Sequence, residues 1–558
     1  MRQENPDEPS EDGDPRLGDP DSYAGVDELG AHSAPEDPED PDAPDAELST
    51  LDRAFDAGGG SRGGIGGVGQ LGDNLALGPV PDLAKAGDDE LHELDDQGET
   101  GEPVDPNGRQ ARYELAAVEA ELNQRWPETV IEPSLTRISA LVNLLGEPHK
   151  GYPVIQVAGT NGKGSTARMI DALLTRMGLR VGRYTSPHLQ LVTERIAVDG
   201  APIPAARYVE LFRDIAPYVS MVDGAGGPAM SKFEVLTGMA FAAFADAPVE
   251  AAVLETGLGG TWDATNVAEA QVAAITPIGI DHVEYLGGEL TGIAREKAGI
   301  IKPGTVAVLA EQDPDVLRVL LERAVEVDAT VARAGSEFAV LEREVAVGGQ
   351  LLKLQGLGGV YEEIFLPLHG AHQAANAVLA LAAVEAFFGA GKDRQLVVEA
   401  VREAFAEVET PGRLERMRAA PAVLLDAAHN PHGAAALATA LAEEFAFRKL
   451  VAVVGVMAEK DARGILEALE PVLSEIVVTR NSSPRSMPLE ELNELAISVF
   501  GEERVLAEPS LDAAVETAVG LVEQSDDPEE PLAGGGVLIT GSVVTAGEAR
   551  TLFGRQPA

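Results

Sequence analysis

The apolar positions of residues 112–558 follow two alternating patterns. Short runs, such as the one that begins at Val154 and the one at Ala251–Leu254, have the length of strands buried in a sheet. Between the runs, apolar residues recur at intervals of three and four, as in Ala167–Met177, which is the spacing of an amphipathic helix. This alternation of strand and helix predicts an α/β fold whose sheet is mostly parallel.

The first part of this region contains a regular series of predicted elements. The predicted helices are Tyr113–Trp126, a helix that follows the N-capping Ser134 and stops at Gly146, Ala205–Val219, Lys232–Phe244 and Ile293–Ala298. The strands predicted after the one at Val154 are Arg180–Tyr184, Ala251–Leu254 and Gln271–Ile275. Functional groups are expected at the carboxyl ends of these strands, where open α/β sheets bind their ligands.

The pattern changes between Phe338 and Leu368, where short alternating runs and paired glycines predict a small antiparallel sheet. A helix over Gly370–Phe388 and a break near residues 409–413 follow, and the strand–helix alternation then restarts. The strands predicted after the break are Val423–Leu425, Leu450–Val454, Glu475–Val478 and Gly536–Ile539. We therefore predict a central domain over residues 111–408 and a smaller, doubly wound C-terminal domain over residues 409–558.

Residues 1–110 show neither pattern. Asp, Glu, Pro and Gly dominate, and Tyr23 and Phe55 are the aromatic residues of the segment. Such a composition buries too little apolar surface to offset the entropy lost on ordering, which predicts a disordered tail. A solvated extension is favoured over an acidic interaction tail.

Charge and composition restrict the class of partner. The net charge is −50, with 30 acidic and 6 basic residues in residues 1–110, and nucleic acid and anionic membranes are poor partners for such a surface. The 558 residues include no cysteine, which excludes disulfides and thiolate metal sites and fits a reducing cytoplasm. No signal sequence or long apolar run is evident. We expect a cytoplasmic monomer that acts on small molecules.

One stretch has the layout of a phosphate-binding loop. Between the strand at Val154 and the helix over Ala167–Met177 runs Gly159-Thr160-Asn161-Gly162-Lys163-Gly164-Ser165. Loop N–H groups and the helix N-terminus bind the anion in such sites, and a lysine reaches the outer phosphates. The order G-x-x-G-K-G-S departs from the common loop, which has four residues between its glycines. An ordinary glycine-rich turn is the alternative, but the lysine, the hydroxyl groups and the strand–helix context favour a nucleotide site.

Three polar residues follow predicted strands. Glu255 closes an apolar strand, and its carboxylate could hold a divalent cation beside the phosphate loop, because Mg²⁺ prefers oxygen ligands. His282, after Asp281, and Ser186 occupy similar positions. Taken alone, a histidine at a strand end is more often structural.

Eight motifs in fixed order give the chain a family resemblance. They are Gly159-Thr160-Asn161-Gly162-Lys163-Gly164-Ser165, Thr185-Ser186-Pro187-His188, Leu254-Glu255-Thr256-Gly257-Leu258-Gly259-Gly260, Asp263-Ala264-Thr265-Asn266, Asp281-His282 with Leu286-Gly287, Glu296-Lys297-Ala298-Gly299-Ile300-Ile301-Lys302, Pro411-Gly412-Arg413 and Asp426-Ala427-Ala428-His429-Asn430-Pro431. Over roughly residues 112–558 the chain resembles the folylpolyglutamate and dihydrofolate synthases of the Mur ligase superfamily. Thr256 and Trp262 differ from the residues more usual in that family.

The resemblance implies an ATP-dependent ligase that joins L-glutamate to dihydropteroate, to the γ-carboxylate of a folate, or to both. A carboxylate oxygen of the acceptor would attack the γ-phosphate of ATP, giving an acyl phosphate and ADP. The amino group of glutamate would then attack the acyl carbon, and phosphate would leave. In such a reaction the protein mostly positions groups and stabilises charge.

The resemblance also implies roles for individual residues. The expected ATP contacts are Gly159, Thr160, Asn161, Gly162, Lys163, Gly164, Ser165, Asn376, Arg413 and Asp426. The expected ligands of two magnesium ions are Ser186, Glu255, His282 and Lys297, with Lys297 carbamylated so that a cation becomes an anionic oxygen ligand. Lys163, Lys297 and His429 would be catalytic. Phe233, Asp263 and Ser542 would lie near the substrates.

Three alternatives remain at this stage. Without the resemblance, Lys297 would be interpreted as a surface lysine of a helix. A muramyl-peptide ligase shares the loop and the mechanism, but it carries an added N-terminal α/β domain, and residues 1–110 lack strands. A regulatory nucleotide-binding protein without turnover would be expected to lose the phosphate and metal groups, which this chain keeps. Which of the two folate activities the chain has stays open.

Overall fold

The computed structural model describes residues 105, 107–126, 133–389, 391, 394–524 and 534–557. The predicted disordered tail therefore lies outside the described residues, apart from residues 105 and 107–110. The first described helix, α1, spans Arg109–Asn123, so the predicted boundary at residue 110 falls inside it. None of the described helices is both long enough and apolar enough to cross a membrane.

An eight-stranded sheet organises the first part of the described chain. Its strands are β1 (Val154–Ala158), β2 (Val181–Tyr184), β3 (Ile196–Val198), β4 (Ala201–Pro202), β5 (Ala251–Glu255), β6 (Val272–Ile275), β7 (Val306–Leu309) and β8 (Thr330–Arg333). Their order is β4-β3-β2-β5-β1-β6-β7-β8, and every pairing from β2 to β8 is parallel. The antiparallel β3 and β4 extend one edge. The predicted, mostly parallel α/β sheet is confirmed.

Helices cover both faces of this sheet. They are α2 (Thr136–Leu144), α3 (Lys163–Arg176), α4 (Ala205–Asp223), α5 (Lys232–Asp246), α6 (Val283–Leu286), α7 (Leu290–Ala298) and α8 (Pro314–Glu326). One core packs α1, α2, α4 and α5 on the sheet, and another packs α3 with later helices on the same sheet. The strand β1 is buried along its whole length, which accounts for its mostly apolar sequence, and the Nε2 of the buried Gln156 donates to the Thr265 Oγ1 at 3.0 Å.

The predicted antiparallel segment is also present. It comprises β9 (Ala339–Ala346), β10 (Gly349–Gln355) and β11 (Val360–Leu366), in the order β11-β10-β9. Helices α9 (Ala371–Phe387) and α10 (Val398–Ala406) follow it and pack against α3 in the same core. The start of α9 is thereby brought to the phosphate loop.

A second sheet forms the C-terminal part. Its strands are β12 (Glu415–Ala419), β13 (Ala422–Leu425), β14 (Lys449–Val454), β15 (Glu475–Val478), β16 (Val505–Ala507) and β17 (Gly535–Thr540), in the order β12-β13-β17-β14-β15-β16. Only the β12–β13 pairing is antiparallel among these. The helices are α11 (Pro431–Glu444), α12 (Ala462–Leu469), α13 (Leu489–Phe500), α14 (Leu511–Glu523) and α15 (Val543–Leu552). Apolar cores on both faces confirm the doubly wound arrangement.

The structure corrects two local expectations. Helix α3 begins at Lys163, four residues before the predicted start, because the glycine-rich sequence itself forms the first turn. The N-cap of α2 is Leu135 rather than Ser134, although the Ser134 Oγ still accepts the Thr136 N–H at 3.1 Å. Sequence patterning also gave no indication of β7, β8 and the short edge strands, since a few residues carry too little periodicity to stand out.

Candidate active site

The phosphate loop needs glycine at two of its positions. Gly159 has φ 143° and Gly162 has φ 88°, in the region that residues with a side chain rarely adopt. A Cβ on Gly159 would collide with the side chain of Thr276, and one on Gly162 would lie 2.6 Å from the Asn376 Oδ1. The loop is therefore packed between the residues after β6 and the start of α9.

Lys163 lies inside this loop. Its Nζ donates hydrogen bonds to the carbonyl oxygens of Gly159 (3.2 Å) and Thr160 (3.0 Å). Burial lowers the pKa of Lys163, while the carboxylates of Glu255 and Asp281 oppose that shift. The amino group of Lys163 is therefore held against the backbone of the loop.

Glu255 flanks the loop on the β5 side. It is level with Val157 of β1, and its buried carboxylate accepts the Ser186 N–H at 3.2 Å. Burial raises the pKa of Glu255 and Lys163 lowers it. No second hydrogen bond to this carboxylate is seen in the part of the chain that the structure describes. A buried carboxylate with spare oxygens beside a serine fits an oxygen-ligated cation such as Mg²⁺.

Asp281 flanks the loop on the β6 side and is the centre of a polar cluster. Its Oδ1 accepts from Lys460 Nζ at 2.7 Å, and its Oδ2 accepts from Asn430 Nδ2 at 2.9 Å. His282 Nε2 and His429 Nε2 each lie 3.8 Å from the same Oδ2. Burial opposes its charge, yet His282, Lys460 and His429 hold the pKa of Asp281 well below its usual range.

Both histidines of this cluster are neutral near pH 7. Partial desolvation lowers the pKa of His282 and of His429 to about 4, although 41% of the His282 side chain and 28% of the His429 side chain stay exposed. The His429 Nδ1–H donates to the Ala427 carbonyl oxygen at 3.0 Å, so its Nε2 carries the lone pair and faces Asp281. His429 thus faces Asp281 of the central half, and its predicted catalytic role stays a prediction.

The predicted metal ligands occupy two sides of the loop. Ser186 and Glu255 line one cavity, and His282 lies on the other side, with Asp281. Within the described ranges, no three His, Asp or Glu side chains are arranged as a metal-binding group. Of the predicted magnesium ligands, Ser186 and Glu255 are therefore the two that line one cavity together.

Lys297 is buried, so its interpretation as a surface lysine is wrong. It lies on α7 with 4% of its surface exposed, and its Nζ donates to the Gly159 carbonyl oxygen at 2.7 Å. Burial, and then the charge of Lys163, lower the pKa of Lys297 to about 7. A helix distant in sequence thus contributes an amine to the same loop.

Residues from later segments close over the loop. Asn376 Nδ2 donates to Gln373 Oε1 at 3.1 Å, while its Oδ1 packs against Gly162. Asn161 and Asn430 exchange two side-chain hydrogen bonds of 3.1 Å each. The C-terminal half therefore contacts the phosphate loop directly. The sequence analysis assigned no site role to Lys460, or to Asn430, which it named only within a motif, because nothing local in their sequence indicates a partner far along the chain.

Arg413 and Asp426 lie next to each other where the chain enters the C-terminal half. Asp426 is buried and accepts N–H groups from Leu414 (2.9 Å) and Ala428 (2.8 Å). Arg413 donates to the Gly412 carbonyl oxygen at 2.9 Å and lines the cavity that contains Ser165 and Glu255. Arg413 therefore lies near the phosphate loop. Asp426 holds the backbone on either side of the link to Arg413 through its hydrogen bonds to Leu414 and Ala428.

The three predicted substrate residues have different surroundings. The Phe233 ring packs on Gly257 and lies 5.9 Å from the Tyr184 ring. Asp263 is buried and accepts N–H groups from Leu258 (2.9 Å) and Thr265 (3.0 Å). Ser542 is the N-cap of α15 and accepts from Asn481 Nδ2 at 3.2 Å. Asp263 and Ser542 thus hold loops in place through their own hydrogen bonds, and their substrate roles stay predictions.

Comparison with known families agrees with this architecture. The Mur ligase middle domain matches residues 225–384, and the Mur ligase glutamate ligase domain matches residues 412–542. These two segments contain, respectively, the Glu255, Asp281 and Lys297 positions and the Arg413 to Asn430 positions.

Individual relatives match most of the chain. The dihydrofolate synthase/folylpolyglutamate synthase of Mycobacterium tuberculosis is 60% identical over 460 residues, covering 79% of this chain and 94% of the relative. The Escherichia coli protein of the same description is 32% identical over 366 residues, covering 65% and 81%.

Solved structures are similar as well. Mycobacterium tuberculosis folylpolyglutamate synthase complexed with ADP has a TM-score of 0.77 at 58% identity and covers 80% of this chain and 100% of that one. Escherichia coli FolC in complex with DHPP and ADP has a TM-score of 0.68 at 30% identity and covers 79% and 97%.

Proposed function

The chain belongs to the dihydrofolate synthase/folylpolyglutamate synthase family of Mur ligases, and we propose that it joins L-glutamate both to dihydropteroate and to the γ-carboxylate of a reduced folate. ATP is converted to ADP and phosphate in each reaction. The relatives whose names combine the two activities support the bifunctional assignment.

One arrangement carries this proposal. Lys163, Glu255, Asp281 and Lys297 surround a single glycine-rich loop, and the Asn161–Asn430 pair joins that loop to the glutamate ligase domain. A nucleotide phosphate bound at the loop would then lie beside groups of both domains. This is the geometry needed to bring an activated carboxyl group to an incoming amine.

The reaction follows from the chemistry of these groups. A carboxylate oxygen of the acceptor attacks the γ-phosphorus of ATP, forming an acyl phosphate and releasing ADP. The amine of glutamate attacks the acyl carbon, an amide bond forms, and the C–O bond to phosphate breaks. Lys163 and the loop N–H groups stabilise negative charge on the phosphates. In this proposal His429 Nε2, which is unprotonated near pH 7, accepts a proton from the amine.

The same residues suit magnesium. Ser186 and Glu255 would hold one ion together with the nucleotide phosphates, and His282 with Lys297 would hold a second. Bound Mg²⁺ supplies charge neutralisation for the transferred phosphoryl group. The buried Glu255 carboxylate, with the Ser186 N–H as its hydrogen-bond donor among the described residues, supports the first of these assignments.

Carbamylation of Lys297 is part of the proposal. Addition of CO₂ requires a neutral amine, and the buried site next to Lys163 disfavours the protonated form. The product, a carbamate, offers two oxygen atoms to a metal ion where the lysine offers a cation. The contact of Lys297 Nζ with the loop at Gly159 supports this role, since the modified group would lie beside bound phosphate.

A product assay tests the function. Purified protein is incubated with ATP, Mg²⁺ and L-glutamate, with dihydropteroate or tetrahydrofolate as acceptor, and the products are identified by mass. We expect addition of one glutamyl residue to each acceptor, with ADP formation that depends on both glutamate and acceptor. ADP formation independent of these substrates would instead indicate a nucleotide-binding protein without ligase turnover. A UDP-muramyl peptide is offered as a third acceptor in a parallel incubation. Its ligation would indicate the muramyl-peptide class.

A further inference from the structure

The loop that follows β2 is held by the C-terminal half. Residues 185–191 leave the central sheet after Tyr184, and Leu189 packs against the apolar core that α14 and α15 form on the second sheet. Among the described members of that core, Leu189 is the one that comes from the central half. The loop therefore reaches from one domain to the core of the other.

Helix α15 has a glycine where this loop meets it. A Cβ on Gly547 would collide with the carbonyl oxygen of Leu189, so a larger residue could not occupy the position unless the loop moved. Gly547 lies inside the helix, where glycine is less favourable than alanine. The close approach of the loop accounts for the glycine at this position.

Gln190 adds polar contacts to the same helix and to the residues after it. Its Nε2 donates to Thr551 Oγ1 at 3.2 Å and to the Arg555 carbonyl oxygen at 2.9 Å. Its Oε1 accepts from Arg550 Nε at 2.9 Å, and Arg550 in turn pairs with Glu415. Both ends of this one amide group are therefore bound by the opposite domain.

The central half holds the rest of the loop. Glu194 accepts the N–H groups of residues 189–191 at 2.9–3.0 Å, and Glu255 accepts the Ser186 N–H at 3.2 Å. Gln190 is four residues from Ser186, so the backbone between them is fixed at both ends. The loop is therefore a short link between the edge of the phosphate site and α15.

Helix α15 also extends back towards the predicted substrates. Its N-cap is Ser542, which the sequence places near them, and Gln190 binds its last turn. A shift of the C-terminal half would move Ser542 relative to the phosphate loop, and the contacts at Gln190 and Gly547 oppose that shift. The proposed reaction needs such a constraint, because an acyl phosphate that the amine does not reach is open to attack by water.

We propose that Gln190 is a positioning residue that couples the consumption of ATP to amide formation, with Gly547 as the surface on which its loop docks. The inference rests on the proposed function, because it assumes an acyl phosphate. In the docked arrangement the amine of glutamate attacks the acyl carbon, and phosphate leaves. In a displaced arrangement water attacks the same carbon and the C–O bond to phosphate breaks. The original carboxylate is then regenerated, and one ATP has been hydrolysed to ADP and phosphate.

The test compares Gln190→Met and Gly547→Ala with the matched controls Gln395→Met and Gly520→Ala. Methionine keeps the length of the glutamine side chain but lacks its amide group. Gln395 donates to the Val360 carbonyl oxygen at 2.7 Å within the central half. Gly520 lies inside α14, where a Cβ meets no other atom.

Two rates are measured with saturating ATP, Mg²⁺ and L-glutamate and with the acceptor that the wild-type protein ligates best. They are the rate of ADP formation and the rate of glutamyl product formation. Their ratio does not depend on how much of the enzyme is folded, so a purely structural defect lowers both rates and leaves the ratio unchanged. Melting curves report the folding of each variant separately.

We expect about one ADP per product in the wild type and in both controls. In Gln190→Met and Gly547→Ala the ratio should rise about twofold or more, while product formation falls about tenfold or more. Gln190→Glu keeps the acceptor that faces Arg550 Nε and loses the two donated hydrogen bonds. Its ratio should therefore lie between those of the wild type and Gln190→Met.

Two results would overturn the proposal. One is a ratio in Gln190→Met equal to that of the wild type, whatever its rate, since these contacts would then serve folding alone. The other is a rise of the same size in Gln395→Met, which would show that the ratio does not report on the domain contact. A wild-type protein that ligates neither acceptor would contradict the proposed function itself, before any variant is compared.

Discussion

At the scale of single residues, burial changes what the charged side chains around the phosphate loop can do. Lys297 would be fully protonated in water, yet desolvation and the neighbouring Lys163 lower its pKa to about 7. His429 would titrate near pH 6.5, yet burial keeps it neutral with an available lone pair. The Glu255 carboxylate keeps lone pairs for a ligand, because among the described residues the Ser186 N–H is its hydrogen-bond donor. Each of these states depends on neighbours far away in the sequence and suits the proposed reaction.

Lys163→Ala should remove most of the ligation activity and leave the fold intact. The lysine lies within the loop, and its Nζ donates two hydrogen bonds to carbonyl oxygens. It buries no large apolar surface, so its removal should cost little stability. Loss of a charged contact to the transferred phosphoryl group should lower kcat by about 10²- to 10³-fold. Product formation at saturating ATP measures the effect, and a melting curve checks the fold. Turnover near that of wild type would contradict the role of Lys163.

Lys297→Ala and Lys297→Arg should both lose most turnover. If the role is metal binding through a carbamate, the positive charge of arginine is no substitute, because a guanidinium group neither adds CO₂ nor binds Mg²⁺. Short carboxylic acids added to Lys297→Ala should restore part of the activity by replacing the missing oxygens. Initial rates with and without such acids measure the rescue. A fully active Lys297→Arg enzyme would show that the charge, and not a carbamate, is what matters.

At the scale of elements, three adjacent parallel strands bring the site together. The central strand β1 leads into the phosphate loop, β5 on one side ends at Glu255, and β6 on the other leads to Asp281. Parallel strands end at the same edge of the sheet, so residues far apart in the sequence become neighbours. The C-terminal half then adds Lys460 and Asn430 to the Asp281 side.

Lys460→Met should destabilise the protein by about 2 kcal/mol, because it removes a charged hydrogen bond to the largely buried Asp281. Lys449→Met is the matched control: Lys449 pairs with Glu475 on a more exposed surface, and its loss should cost less than about 1 kcal/mol. Denaturant titration measures both. Equal effects of the two substitutions would show that the Asp281 cluster contributes no special stability.

The Lys460 effect should also depend on pH. The pKa of Asp281 in the folded protein lies below its value of about 3.9 in an unfolded chain. A carboxylate of this kind stabilises the fold above the unfolded pKa, and the contribution is lost as the pH falls through the folded value. The difference between wild type and Lys460→Met should therefore persist at pH 7 and shrink below about pH 4.

At the scale of the whole molecule, one helix joins the C-terminal half to the central half at both of its ends. Helix α11 begins next to Asn430, which pairs with Asn161 in the phosphate loop. It ends at Glu444, whose carboxylate accepts from the Gly370 N–H at 2.7 Å and pairs with His369 at 2.8 Å and with Arg343. The position of the glutamate ligase domain over the loop is thus fixed at two separate points.

Removal of residues 2–104 should leave activity and thermal stability nearly unchanged, because their composition offers little apolar surface to bury. Removal of residues 2–110 should lower the stability by about 1 kcal/mol or more. That longer deletion takes away the Asn107 Oδ1, which accepts the Ala205 N–H at 2.9 Å at the start of α4, and shortens α1. Melting curves of the two truncated proteins test the difference. A large loss of stability in the shorter deletion would contradict the disordered-tail prediction.

The sequence by itself determined the strand–helix alternation, the antiparallel insertion between Phe338 and Leu368, and the family. These follow from local periodicity and from motifs whose residues are contiguous. It also predicted the phosphate loop, since its glycines and Lys163 form a contiguous motif whose backbone geometry is local.

Only the tertiary structure decided which distant groups meet. The burial of Lys297 against Gly159, the pairing of Asn161 with Asn430, and the cluster that Asp281 forms with Lys460 depend on the order of strands in two sheets and on the packing of two domains. Local sequence does not predict such contacts, because hydrophobic periodicity specifies which face of an element is buried but not which element covers that face. The pKa values of these groups follow from the same packing, since desolvation and neighbouring charge exist only in the folded chain.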